Sequence, residues 1–133
     1  MSTGRTLPSK EQVEKYKTLG SSNINIFVNG STHSFQATGY AGTRAFVSLD
    51  TFDENISIDY GGDLGEGEHE LTAQELTFRY LTPAGNIFSG ITDGTLKVVV
   101  SGNTFNATFQ NLKVRELDGA AIARFSGPYT INV

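Results

Sequence analysis

From Ser21 to Val133 the apolar residues recur at every second position in short runs, and the runs are separated by Gly, Asn and Asp pairs that favour tight turns. A period of two sends alternate side chains to opposite faces of a strand, so each run can bury one face and wet the other. Ile24, Ile26 and Val28 alternate with Asn23, Asn25 and Phe27. Asn29-Gly30, a pair that tolerates the positive φ of a two-residue hairpin, then returns the chain through Phe35 and Ala37. The same rhythm marks strands over Arg44 to Leu49, Ile56 to Tyr60, Leu76 to Tyr80, Asn86 to Gly90, Leu96 to Val100, Phe105 to Phe109, Ala121 to Phe125 and Tyr129 to Val133. Breaks are expected at Gly39-Tyr40-Ala41-Gly42, Asp53-Glu54-Asn55, Thr82-Pro83-Ala84-Gly85, Asp93-Gly94, Ser101-Gly102-Asn103 and Leu117-Asp118-Gly119. Between Phe109 and Leu112 the apolar phase slips by one residue, which predicts a bulge at Gln110-Asn111.

No helical pattern lies between these runs to cover a parallel sheet. The prediction is therefore an all-β chain, an antiparallel β-sandwich or small closed β-barrel of about 8–10 strands. One short α-helix precedes it, over Lys10 to Thr18. Ser9 and Gln12 stand at capping-box spacing, Val13, Tyr16 and Leu19 form a narrow apolar stripe, and Gly20 follows. So short a helix is marginal in water and must dock to persist. Residues 1–20 read as an N-terminal extension and 21–133 as a single antiparallel β domain. A chain of 133 residues can bury a sufficient core without staples, in keeping with its lack of cysteine.

The formal charge of −4, with Arg and Lys mostly scattered singly beyond the helix, argues against binding a nucleic-acid backbone. No apolar run reaches the length of a membrane span, and the first 20 residues lack the apolar stretch of a secretory leader. As written the chain reads as soluble and cytoplasmic, or as an exported protein whose leader has been removed. Edge strands leave room for a homodimer.

Candidate chemistry is sparse. Gly61 to Glu70, GGDLGEGEHE, reads as the longest loop, and Asp59, Asp63, Glu66 and Glu68 are its candidate oxygen ligands for a calcium ion. Their spacing does not follow the EF-hand, and a solvated acidic loop or a surface for a basic partner are the competing readings. His33 and His69 have no metal-ligand spacing and read as surface histidines. There is no cysteine and no Gly-x-Ser-x-Gly elbow, while Asp50, Asp53, Glu54 and Asp59 read as turn acids rather than as a glycosidase pair.

Several aromatics fall out of phase with the core pattern, and Tyr40, Arg79, Tyr80 and Arg124 are the candidate ligand-binding side chains. Lack of tryptophan weakens a sugar-stacking platform, leaving one built on tyrosines as the remaining form. The expected function is a non-enzymatic binding or protein-interaction module that presents loops from the β scaffold to a protein, small molecule or carbohydrate. The alternatives are a small barrel that carries, or acts on, a small molecule in its interior, and a carbohydrate- or calcium-binding sandwich. No cofactor other than such a calcium is expected.

Overall fold

The reciprocal cap predicted at the helix start is present: the Gln12 N–H donates to Ser9 Oγ (3.2 Å) and the Ser9 N–H to Gln12 Oε1 (3.0 Å). Helix α1 covers only Lys10–Lys15, short of the predicted Thr18, because from Lys17 the backbone finds partners in the sheet instead. The computed structural model describes residues 7–133. After α1 come β1 (Lys17–Thr18), β2 (Gly20–Ser22), β3 (Ile24–Val28), β4 (Ser31–Phe35), β5 (Gly39–Gly42), β6 (Phe46–Asp50), β7 (Asn55–Asp59), β8 (Gly67–Leu71), β9 (Thr77–Leu81), β10 (Ile87–Ser101), β11 (Thr104–Glu116) and β12 (Ile122–Asn132).

All twelve belong to one antiparallel sheet, ordered β1-β5-β6-β7-β9-β10-β11-β12-β3-β4, with β8 also on β10 and β2 also on β12. The sheet curls so far that residues 17–22 stitch its two flanks together: β1 pairs with β5 and β2 with β12. The Gly42 N–H donates to the Tyr16 carbonyl and the Asn132 N–H to that of Leu19, so the backbone of this segment is used on both sides. Glycines permit the close approach. A Cβ on Gly20 would stand 2.6 Å from both Thr130 O and the Tyr40 ring, and one on Gly42 would stand 2.6 Å from Ile131.

The long strands β10, β11 and β12 bend in mid-course. The expected bulge is there: the β11–β12 register shifts between Phe109 and Leu112, and Asn111 takes φ 52°. Asp93-Gly94 was expected to turn the chain but lies inside β10, where the register against β11 shifts on both sides of Asp93. Gly94, at φ 86°, faces this bulge so closely that a Cβ would lie 2.2 Å from the Asn111 carbonyl oxygen. The two irregularities therefore form a single bend across a hairpin, which is why a turn-type dipeptide does not end the strand. True hairpin turns do form at Asn29-Gly30, with φ 53° and 79°, and at Gly102-Asn103, where Gly102 is at 61°.

Two further expectations change. Gly39 to Gly42 is strand β5, not a break, since small residues suit the crowded flank of the curl. The acidic run is only partly a loop: Gly67–Leu71 pairs with Leu96–Val100 of β10, turning Glu68 and Glu70 to solvent and burying Leu71. A strand with one apolar anchor and outward acids carries almost no hydrophobic alternation, so polarity alone misled.

Inside the curl Phe78, Phe109, Phe125, Tyr80 and Tyr129 form a chain of ring contacts, the tightest being Phe78 on Phe125 at 4.9 Å. Tyr60 and Tyr129 join their hydroxyls across the core at 2.7 Å. Burial of these phenols pushes both pKa values up, far above the ordinary tyrosine range. Among the described residues no helix is long and apolar enough to cross a membrane.

Candidate functional site

Strands β6, β7 and β9 each send alternate residues outward, and register fixes which of them meet. Ser48 lies opposite Ser57 and Ser57 opposite Arg79, giving one row across three strands; Asp50, Asn55 and Leu81 form the next. An outer sheet face normally meets water. Here Ser48 and Ser57 are only 1% and 2% exposed. With α1 and Pro8, the face encloses a pocket of about 500 Å³ between the Ser48–Ser57–Arg79 row, Asp50, Asn55 and Leu81 on one side and Pro8, Lys10, Val13 and Glu14 on the other. Tyr16 holds the end of the helix down, its ring edge-on to Phe46 at 5.9 Å.

The floor of the pocket is wired in one direction. Ser57 Oγ donates to Asn55 Oδ1 (2.7 Å), and Asn55 Nδ2 donates to Asp50 Oδ1 (2.7 Å) and Ser48 Oγ (3.0 Å). Ser48 thus accepts, and its own hydroxyl hydrogen has no acceptor among the described residues. Arg79 is in the same condition. Its Nε is fully buried with no hydrogen-bond partner, the only such side-chain atom among the described residues. Buried polar groups are almost always partnered, and each exception calls for a cause.

A second concavity, of about 390 Å³, lies at one open end of the curl between Val28, His33, Tyr80, Pro83, Phe88 and Glu116. The Tyr80 hydroxyl donates to Glu54, which also contacts His33 Nε2 at 2.8 Å and has a side chain 9% exposed. Glu116 accepts from Asn86 Nδ2 at 2.9 Å. Burial first, then the hydrogen bond to Glu54 and the charges of Glu54 and Asp53, hold the Tyr80 phenol well above its usual pKa. Glu54 Oε2 thus meets both Tyr80 and His33, and the trio serves as a clasp between β4, β9 and the β6–β7 turn.

The four candidate ligand-binding residues occupy four separate places. Arg79 lines the outer pocket and Tyr80 the open end. Tyr40 stands at the stitched flank, its hydroxyl donating to the Ala37 carbonyl (3.0 Å) and contacting Ser22 Oγ (3.0 Å), beside Gly20. Arg124 is exposed on β12 with its guanidinium 5.6 Å from the Phe27 ring. The proposed cation ligands are separately engaged: Asp59 accepts from the Gly61 N–H, Glu66 from the Gly102 N–H, and Glu68 faces Lys97 at 3.6 Å. Asp63 lies in the loop between them. Among the described residues no group of three or more His, Asp or Glu side chains is gathered as a metal ion requires.

Sequence reasoning passed over Ser48, Asn55 and Ser57, the residues that share the pocket with Arg79. Their signal was present but weak: all lie on the off-phase positions of strands whose in-phase positions are Val47, Leu49, Ile56 and Ile58. No family model, curated protein or solved structure matches this chain.

Proposed function

We propose that this protein is a non-enzymatic binding module whose ligand seat is the pocket between α1 and the outer face of β6, β7 and β9. The observation that carries the reading is Arg79, which lines that pocket and whose buried Nε–H has no acceptor among the described residues. An unmet buried donor costs about 1–3 kcal/mol, which an acceptor on a ligand would recover. The pocket volume of about 500 Å³ is in the range that suits a small molecule. A ligand carried inside the curl has less behind it, because the aromatic chain and the Tyr60–Tyr129 pair take up that space.

A small-molecule screen followed by ¹H–¹⁵N NMR tests the reading. Binders are expected to move the Arg79 Nε–H resonance together with the backbone amides of Ser48, Asn55 and Ser57. Binders that instead move only resonances of Tyr60, Tyr129 or the Tyr80–Glu54–His33 clasp would overturn it.

A further inference from the structure

We infer that the pocket takes an organic monocarboxylate with an apolar body, an inference that rests on the outer-face seat proposed above and names its ligand class. The unused polar hydrogens at the floor are both donors. The hydrogen-bond chain runs from Ser57 through Asn55 to Ser48 and leaves the Ser48 O–H without an acceptor among the described residues. Two positions along the same row stands Arg79, with its unmet Nε–H. A pair of unmet donors, one of them cationic, calls for an oxyanion. A guanidinium offers parallel N–H groups in the fork geometry that matches a carboxylate.

Charge and surface narrow the class. The pocket's charged residues are Lys10 and Arg79 against Glu14 and Asp50, so the lining is formally neutral. Asp50 shares the floor with the donors, its Oδ1 already receiving Asn55 Nδ2. A dianion such as phosphate would be repelled by these two carboxylates more strongly than a single negative charge. The rest of the lining is apolar: Pro8 and Val13 stand over the polar row, and Leu81 lies beside it in the sheet. A ligand that meets both surfaces has a carboxylate at one end and hydrocarbon at the other.

The test uses the full chain and four probes titrated in parallel by ¹H–¹⁵N NMR: hexanoate, hexanamide, hexylamine and inorganic phosphate. Hexanoate is expected to move the Arg79 Nε–H and the Ser48 and Ser57 amides, and to bind at least about tenfold more tightly than each of the other three. R79Q should weaken hexanoate about tenfold or more, with R79K recovering only part of that loss because an ammonium lacks the fork. S48A, which leaves the guanidinium in place, should weaken it several-fold and keeps the test open if R79Q does not fold. Phosphate, the amine or the amide moving the same pocket resonances at equal or higher affinity would overturn the carboxylate inference and leave the seat standing. If all four probes leave the pocket resonances unmoved, the inference and the seat fall together.

Discussion

On the inner face of β6, β7 and β9, Val47, Leu49, Ile56, Ile58, Phe78 and Tyr80 are almost wholly buried; on the outer face of the same strands, Ser48 and Ser57 are buried nearly as deeply. The inner face reaches that state through rings and branched side chains that need no partner. Polar side chains removed from water are stable only if their hydrogen bonds are replaced, and the outer face replaces most of them through Asn55. The replacement stops short at Arg79 and at the Ser48 hydroxyl. Burial on one face therefore serves the core, while the dry polar face keeps unmet donors beside a cavity. Residues that weaken stability without packing value are drawn to functional sites.

Perturbing each face in turn sharpens this contrast. Phe125 touches Phe78, Tyr80 and Phe109, so Phe125→Ala should cost about 3–5 kcal/mol in chemical denaturation. A loss below about 1 kcal/mol would mean that the inner face is not the main source of stability. Next comes alkaline pH. The Tyr60 and Tyr129 phenols ionise near pH 10 when unfolded but are held protonated by burial in the fold. Their contribution is whole below about pH 10. Above it the unfolded state releases protons first, and stability should fall by up to about 1.4 kcal/mol per pH unit for each phenol until the folded pair itself titrates. Urea midpoints measured across that range should show the decline, and Y60F/Y129F should remove their share of it, leaving the part due to Tyr80.

At the bend, Gly94→Ala forces a Cβ into the Asn111 carbonyl at a positive φ and should cost about 2 kcal/mol or more. Equal stability of this variant would show that the bulge can move without loss. The Ser9 cap acts more locally: Ser9→Ala should remove about 1 kcal/mol from α1, seen as faster amide exchange in Val13 and Tyr16 with little change in the global midpoint. Arg79→Met is the one change expected not to destabilise, and it should raise stability by up to about 1–3 kcal/mol, because it keeps the aliphatic stem and removes a donor that has no partner among the described residues. A loss of about 2 kcal/mol from that change would erase the contrast between the faces, since Arg79 would then be a structural member of its own.

Much of the fold is legible in the sequence where a strand has one wet and one dry face. Ile24 and Ile26, Leu76 and Phe78, and Phe105 to Phe109 lie where alternation puts them, and the phase slip at Gln110-Asn111 is a real bulge. Legibility fails where a strand's outer face is also covered or its inner face is short. β5 looked like a glycine break because close contact across the stitched flank selects small residues, and β8 looked like a loop because only Leu71 anchors it. Of the site, the sequence offered only Arg79, and as a polar contact for a ligand in a barrel interior rather than on the outer face where it lies. Its neighbours were not legible, since serine and asparagine on a strand's outer face resemble ordinary solvated residues until a helix covers them.

The sequence by itself determined the class of the chain: alternation selects strands, and Asn-Gly, Gly-Asn and the capping box place turns and the helix start through local backbone sterics and hydrogen bonds. Tertiary structure alone decided that the sheet curls until residues 17–22 join its flanks, and that Ser48, Ser57 and Arg79 come into one row under α1. Those outcomes depend on register between residues far apart in the chain, Ser48 to Arg79 across Ser57 and Gly20 to Ile131 across the flanks, and on which outer face the helix finds. Neither is encoded at the short range over which turn chemistry and alternation act.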